Sequence, residues 1–562
     1  MYAKIKELIM DFCNKNLNKT ACTVAFIHFV ISFFSDRVIF TYKLIDFSKS
    51  IMIAKMAIAW GCKILFLIVL FVFYNYIYYL LKKASKEYVK FVGIYFAMMI
   101  GLLLLTYPGI WRMDEFGLLF TASEAFFDFW QNYLTDLFYI MALMFCPIPA
   151  SIVLMQCLVI SIIVGSILYQ IQCIGLIKGK WIYGLYLPFL CLPVLSSNLY
   201  PIRMSLYAYF ELFMLVKMVL LKYKAEQGHE LEFKDFWAFL IVVPIVLTLR
   251  SEAVYYFVAF PLCFAIFFKD RIARDVKWRV LWGILIVSVI LFLPQQIGNK
   301  MRNGNKYALT SMVLPIVPLV HVANNELMTL NGVSQRNDKG VQKQKEELKQ
   351  MLVDIDQVIN VEMALEGFEK GKNGISLFWA ETDFQRKYSD EEFQNFQKAY
   401  RRLILRYPQV FIKERMQTFL ESCDLLEDTT SIYEDNGIKN HERFASLFGN
   451  KAISKNVRND VICALELRES GDYLQKMKIY PVVYHVMIPL IYLTGLFIFL
   501  CIQRKGEYAL LLSVHLCKAP LIILTAPSRL FMYYYPVYLV GVFTMGFCFI
   551  LKCSNKKLPN TF

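Results

Sequence analysis

Residues 64–81, ILFLIVLFVFYNYIYYLL, form an apolar run without a single charged side chain. A helix of about 20 mostly apolar residues crosses the hydrocarbon core of a membrane, so this run predicts a transmembrane helix. Comparable runs lie near 20–40, 57–81, 89–107, 150–172, 181–197, 203–222, 235–250, 252–269, 279–297, 480–503, 506–525 and 528–551. The pattern therefore predicts an all-α polytopic membrane protein with about twelve transmembrane helices.

The overall composition leads to the same class of protein. Hydrophobic residues make up 57% of the 562 residues, mean hydropathy is +0.46, and charged residues make up 19%. A typical soluble domain has ~25% charged residues, so soluble, disordered and fibrous proteins are excluded. The net charge of +15 comes from Lys and Arg in short loops between apolar runs. That placement is typical of membrane topology, and we expect contact with membrane lipids and no nucleic-acid partner.

The basic loops also predict an orientation. With a cytoplasmic N-terminus and twelve crossings, the loops 82–88, 173–180, 223–234 and 270–278 and the tail 552–562 are cytoplasmic and basic. Loop 41–56, with three lysines, falls on the outer side and counts against this orientation. The prediction is a multi-pass cell-membrane protein with both termini in the cytoplasm and 298–479 outside it.

Three regions follow from this arrangement. Residues 1–297 form an N-terminal transmembrane region, whose first large external loop, 108–149, we expect to carry amphipathic helices along the outer surface. Residues 298–479 form a mainly helical external domain, and 480–562 contain the last transmembrane helices and the tail. A capping box at 389–392, SDEE, predicts a helix that ends near Pro408. Cys423 and Cys463 both fall in the external domain, where a disulfide between them is allowed.

The external loop 108–149 opens with an acidic pair in an apolar neighbourhood, YPGIWRMDEF at 107–116. Asp114 and Glu115 follow directly after a predicted transmembrane helix. A carboxylate in this position can take a proton from a hydroxyl nucleophile or bind a divalent cation such as Mg²⁺ or Mn²⁺. The alternative is a solvated loop that happens to be acidic.

Arginines in the other short external turns are the second feature. Arg203, Arg250 and Arg529 each lie on the predicted outer side, against the usual preference for basic residues inside. A guanidinium group binds phosphate through two parallel hydrogen bonds, which would explain this placement. An interfacial anchor or a structural ion pair, for instance between Arg250 and Glu252, explains it equally well.

Two opposite charges inside predicted helices are the third feature. Glu211 lies eight residues inward from Arg203, and Lys518 lies eight residues inward from Ala526. At 1.5 Å per residue both lie roughly 12 Å below the outer end of the bundle. Ionisable groups at that depth usually face a partner or a cavity. We therefore expect Glu211 and Lys518 to pair or to line one cavity, either structurally or in contact with a substrate.

Taken together, these features resemble the GT-C superfamily of polytopic glycosyltransferases. The chain is also similar to bacterial membrane proteins associated with surface-polysaccharide synthesis, through YPGIWRMDEF (107–116), PIRMSLYAYFEL (201–212), LRSEAVYY (249–256) and APSRLFMYYYPVYL (526–539). The acidic loop follows the third predicted helix, whereas many members of the superfamily place it after the first.

The resemblance implies a membrane enzyme that moves a sugar from a polyprenyl-phosphate-linked donor to a glycan or glycopolymer acceptor at the outer face, with inversion. Asp114 would be the general base, and Glu115 would assist it or bind a metal. Arg203, Arg250 and Arg529 would hold the lipid phosphate, with Glu252, Glu211 and Lys518 as further substrate contacts.

Other functions remain open at this point. A polysaccharide polymerase or ligase of the O-antigen type also has about twelve helices and external arginines, but it uses a lipid-linked oligosaccharide donor. A transporter or lipid flippase would have charges along a path through the whole membrane and an internal repeat. A scaffold without enzymatic activity is the remaining interpretation.

Overall fold

The computed structural model describes residues 18–39, 50–269, 271–333, 339–423, 455–469 and 472–554, and these are almost entirely helical. The helices of the N-terminal region are, in chain order, α1 Lys19–Ile39, α2 Ser50–Lys82, α3 Lys86–Leu105, α4 Met113–Ser123, α5 Tyr133–Phe145, α6 Ala150–Ile174, α7 Leu192–Leu199, α8 Arg203–Glu226, α9 Phe233–Phe236, α10 Phe239–Leu249, α11 Tyr256–Phe267 and α12 Arg274–Asn303. Short 3₁₀ segments, Gly179–Leu190 and Ser251–Tyr255, precede α7 and α11.

The region after α12 is also mainly helical, as expected. Its helices are α13 Lys306–Thr310, α14 Val313–Val333, α15 Lys339–Asp356, α16 Val361–Glu369, α17 Gly374–Ala380, α18 Asp390–Arg406, α19 Pro408–Ser422 and α20 Lys455–Leu465. A small antiparallel hairpin follows, in which β1 Arg468–Glu469 pairs with β2 Asp472–Lys476. The C-terminal helices are α21 Tyr480–Val483, α22 Met487–Ile502, α23 Gly506–Leu516, α24 Lys518–Thr525 and α25 Tyr535–Ser554, with a 3₁₀ segment at Phe531–Tyr534.

Helix α8 lies at the centre of the apolar bundle, where it packs against α6, α10 and α25. The C-terminal helices therefore complete the core of the N-terminal region. Helices α3 and α6 approach closely at Gly165, where a Cβ would lie 2.5 Å from a methyl group of Val92. Small residues allow such close contact between membrane helices.

Within the described residues, nine helices are long and apolar enough to cross a membrane, or ten if a bent pair is counted as one span. The class of fold is thus an all-α chain with the helices of a multi-pass membrane protein. The bent pair is the 3₁₀ segment Gly179–Leu190 with α7, at 69°. Pro188 and Pro193 lie on either side of this bend, and proline interrupts the regular hydrogen bonds of a helix.

Some of the predicted twelve spans are not single long helices. Residues 235–250 and 252–269 form the short helices α10 and α11, which meet at the Arg250–Glu252 turn. An eleven-residue helix such as α10 extends only about 16 Å, roughly half of the hydrocarbon core. The apolar part of α1, Lys19–Phe34, is also short. Conversely, Val313–Gly332 is long and apolar enough to span, although the sequence placed it in the external domain.

Helix α14 packs against α15, α16, α17 and α19 and contributes Leu314 and Val317 to their shared core. Its apolar character is therefore explained by burial within this domain. The capping box is formed as predicted, with the Ser389 and Glu392 side chains bonded to each other's backbone, and α18 ends just before Tyr407. Residues 339–369 form two helices, α15 and α16, because residues 357–360 leave the helical path before the Asn360 cap.

Two further expectations change in the structure. Cys423 keeps a free, buried thiol, so it is not bridged to Cys463. Helix α5, expected to lie along the outer surface with α4, is enclosed by α1, α2, α6 and α10. Its sequence, YLTDLFYIMALMF, is apolar on nearly all sides, which is typical of an enclosed helix.

Candidate functional site at the loop end of the bundle

The loops that the sequence assigned to the outer side meet at one end of the bundle. The Ile110 N–H donates to the Leu199 carbonyl over 2.9 Å, which joins the acidic loop to the 200–203 turn. The Arg458 guanidinium donates to the carbonyls of Tyr107 and Gly109, each over 3.1 Å. Arg112 forms an ion pair with Glu466 at 2.7 Å. The acidic loop, the turn and segment 455–469 therefore form one surface.

The Asp114 side chain is exposed to solvent on this surface, in the first turn of α4, although the surrounding protein crowds it. The Gln131 amide donates to its Oδ2 over 3.0 Å. Burial by the surrounding protein raises the pKa of the Asp114 carboxyl above its ordinary value, and the Arg203 guanidinium and Gln131 reduce that rise. A carboxylate with a raised pKa is the stronger proton acceptor, provided that it remains ionised.

The neighbouring Glu115 carboxyl is in a different environment. It is completely buried, and that burial, reinforced by the charge of Asp114, raises its pKa to about 8. Glu115 is therefore mostly protonated near pH 7. Because adjacent residues of a helix point in directions about 100° apart, the acidic pair contributes one accessible carboxyl and one that is inside the protein.

The divalent cation considered for this pair does not fit these surroundings. The Arg203 charge acts on Asp114 and repels a cation, and the neighbouring Glu115 carboxyl is buried and mostly protonated, so it is a poor cation ligand. Over the described ranges, moreover, the structure has no group of three or more His, Cys, Asp or Glu side chains arranged to hold a metal ion.

Two of the three predicted arginines contribute to the same polar surface. Arg203, at the start of α8, acts electrostatically on Asp114 and on Glu252. Arg250 donates from Nε to Glu252 Oε1 over 2.6 Å, so the predicted alternative of an Arg250–Glu252 ion pair is formed. The Arg250 guanidinium also lies over the Tyr533 ring, 5.4 Å from its centroid.

Tyr307 belongs to this surface, although no pattern in the sequence indicated it. Its hydroxyl is 3.3 Å from the Ser251 hydroxyl. Burial alone would raise the pKa of the Tyr307 hydroxyl, but Arg203 and Arg250 lower it below the usual value overall. The two guanidinium groups thus produce a local positive potential, which favours an oxyanion.

Arg529, the third predicted arginine, forms the structural ion pairs that were the alternative to a phosphate contact. Its guanidinium contacts Glu414 and Glu421, both at 2.8 Å, on α19 of the helical domain that follows α12. Burial raises the pKa of the Glu414 carboxyl, although the charge of Arg529 opposes the rise. Arg415 donates to the Ala526 carbonyl over 2.8 Å beside these pairs. Arg529 therefore joins this helical domain to the C-terminal helices.

Glu211 and Lys518 pair with each other, as their equal depth predicted. The Glu211 carboxylate also accepts a hydrogen bond from the Tyr256 hydroxyl, and it lies 3.1 Å from His515 Nδ1. Lys518 donates in addition to the Tyr207 hydroxyl over 2.6 Å. This cluster joins α8, α11, α23 and α24 inside the bundle, and its charged atoms are buried.

Comparison with known proteins gives no relative: no family model, no curated protein and no solved structure matches the chain. The site therefore rests on its own geometry. An accessible carboxyl with a raised pKa beside guanidinium groups can accept a proton from a hydroxyl while an anionic group is bound next to it.

Proposed function

We propose that the protein is a membrane glycosyltransferase that moves a sugar from a polyprenyl-phosphate-linked donor to a cell-surface glycan. The observation that carries this proposal is the accessible Asp114 carboxyl beside the Arg203 guanidinium, at the end of the bundle where the loops meet. The proposal also follows the GT-C resemblance. By the preference for basic loops in the cytoplasm, the opposite end of the bundle, which carries those loops, faces the cytoplasm, and the site faces outward.

In this mechanism Asp114 removes the proton from an acceptor hydroxyl as the oxygen attacks the anomeric carbon. The bond between that carbon and the phosphate oxygen breaks, and the polyprenyl phosphate leaves with the bonding electrons. Arg203 stabilises the negative charge that develops on the phosphate. Arg250 contributes to the potential, but its bond to Glu252 makes it the weaker phosphate ligand. A single displacement of this kind inverts the anomeric carbon.

The lipid donor is favoured over a soluble one by the location of the site. Asp114 and Arg203 lie at the ends of apolar helices, so the prenyl chain can remain in the bilayer while its phosphate reaches the guanidinium. A polymerase or ligase of the O-antigen type would use the same groups with a longer donor. A flippase would move the lipid without making a glycosidic bond.

The test is a product analysis in proteoliposomes. Purified protein is given undecaprenyl-phosphate sugars with a radioactive monosaccharide and an isolated cell-envelope glycan fraction. Label that becomes resistant to mild acid and moves with the glycan supports transfer, because mild acid cleaves the phosphate–sugar bond but leaves glycosidic bonds intact. Label that crosses the membrane while still on the lipid would indicate a flippase. Transfer from an oligosaccharide donor alone would indicate the polymerase or ligase.

A further inference from the structure

Three aromatic rings form a second surface near Asp114. The Trp130 ring lies edge-on to Tyr307 and to Trp379, with centroid distances of 5.2 Å and 5.8 Å. Trp379 is 56% exposed, although exposing so large an apolar ring is unfavourable in water. We call Trp130, Tyr307 and Trp379 the aromatic platform.

The platform adjoins the carboxyl proposed to react. Trp130 is the neighbour in sequence of Gln131, whose amide holds Asp114. Tyr307 contacts Ser251, next to Arg250, through its hydroxyl. The platform is thus linked through Gln131 to Asp114 and through Ser251 to the Arg250 turn.

The loop that carries Trp130 is held in an unfavourable backbone conformation. Non-glycine residues of this loop have positive φ at Ala125 (46°), Phe129 (60°) and Asn132 (84°). The surroundings maintain it: Gln295 donates to the Phe129 carbonyl over 2.8 Å, and Asp136 accepts from the Asp128 N–H over 2.9 Å. Strain kept in this way is concentrated at functional sites, because only a well-packed environment can maintain it.

The other side of the platform belongs to the external domain. Trp379 lies in α17, whose neighbours Leu377 and Phe378 are part of the domain core. The Lys306 ammonium lies 5.4 Å from the Trp379 ring centroid. Trp379 is thus outside the long apolar helices, which distinguishes it from the tryptophans that anchor helices at a membrane interface.

We propose that the aromatic platform binds a pyranose ring of the acceptor glycan, which presents its hydroxyl to Asp114. The apolar C–H face of a sugar ring packs on the electron-rich face of an aromatic ring, and its hydroxyl groups need nearby polar partners. Trp379 provides the exposed ring, the Lys306 ammonium over that ring provides a charged donor, and the Tyr307 hydroxyl belongs to the same cluster through Trp130. This assignment rests on the proposed function, because it identifies the rings as the acceptor side of the same site.

The test measures sugar binding without the lipid donor, so that it does not depend on transfer. The full-length protein is placed in nanodiscs free of glycoside detergent and titrated calorimetrically with chitohexaose, cellohexaose and maltohexaose. We expect at least one of them to bind, and Trp379→Ala to weaken its Kd about tenfold, the effect of losing one stacked ring. Trp379→Phe should retain most of the affinity. Trp237→Ala, at a 59% exposed ring on the basic-loop end, is the matched control and should have no effect.

Each contrary result has a distinct meaning. If no hexasaccharide binds, or if Trp379→Ala and Trp237→Ala behave alike, the platform does not bind glycans. If Trp379→Ala weakens binding to phosphatidylglycerol vesicles while sugar affinity is unchanged, the ring contacts lipid and the proposal is overturned. If sugar binding depends on Trp379 but the proteoliposomes make no glycosidic bond, the platform stands and the transferase proposal fails.

Discussion

Replacement of Lys518 by methionine tests the buried charge cluster most sharply. Methionine approximates the length of the lysine stem without its charge, so the variant removes the ion pair with Glu211 and preserves most of the packing. The Glu211 carboxylate would then remain in the apolar bundle with only Tyr256 and His515 as partners. An uncompensated buried charge is strongly destabilising.

The structure indicates the size of the effect. Breaking a buried ion pair costs about 3–5 kcal/mol. Two of the three partners of Glu211 remain, so we expect a value near the lower limit, about 3 kcal/mol. The double variant Glu211→Gln with Lys518→Met removes both charges and should be more stable than Lys518→Met alone. Lys300→Met, at an exposed pair 3.2 Å from Asp390, is the control and should cost less than about 1 kcal/mol.

The measurement is unfolding of the purified protein in mixed micelles with increasing sodium dodecyl sulfate, followed by circular dichroism. Equal losses for Lys518→Met and Lys300→Met would refute the argument, because they would show that the buried pair is no stronger than a surface one. A double variant as unstable as the sum of the two single variants would also refute it, since the two charges would then be independent.

Two further variants address the acidic loop. The pKa of Glu115 is about 8 in the folded protein, against an ordinary value of 4.5. Between these two pH values the folded state keeps a proton that the unfolded state releases. The free energy of unfolding should therefore fall as pH rises from 4.5 to 8, by up to about 1.4 kcal/mol per pH unit. Glu115→Gln should remove most of this slope and be the more stable protein at pH 8, as measured by unfolding at several pH values; an unchanged slope would contradict the assignment. At Gly298 a Cβ would lie 2.2 Å from the Phe129 ring, so Gly298→Ala should destabilise by about 1–3 kcal/mol. Gly495→Ala, whose Cβ meets nothing within 4 Å, is the control and should be neutral or slightly stabilising. Both variants are compared with the original protein by thermal unfolding, and equal stability of the two would count against close packing of the loop.

The sequence predicted which turns meet, because alternating apolar runs assign successive turns to alternate ends of a bundle. Asp114, Arg203 and Arg250 were placed at one end by this argument, and the structure brings them to one surface. The Glu211–Lys518 pair was predictable for a related reason. Both residues lie eight positions from the same end, and the rise of a helix is constant.

Hydropathy failed where one pattern is compatible with two structures. An apolar run of the length of Val313–Gly332 is equally suited to a membrane span and to the centre of a helical domain. The run over 235–269 does not reveal that it is divided into short helices at Arg250. Only the packing partners of each helix distinguish these cases.

The remaining site residues depend on tertiary contacts that leave no local pattern. Gln131, Trp130 and Tyr307 are ordinary polar or aromatic residues until the fold places them beside Asp114. No local pattern revealed the partner carboxylates of Arg529, because Glu414 and Glu421 are more than a hundred positions away in sequence. Adjacent acidic residues likewise gave no indication that Glu115 is buried.

The central claim is that Asp114, and not its neighbour, is the group that reacts. The most direct measurement compares initial rates of sugar transfer by Asp114→Asn and Glu115→Gln in the same proteoliposomes, with folding checked by circular dichroism. We predict that Asp114→Asn lowers the rate about 10²–10⁴-fold, the usual contribution of a general base, whereas Glu115→Gln keeps most of the activity. Full activity in Asp114→Asn, or its loss only in Glu115→Gln, would contradict the account.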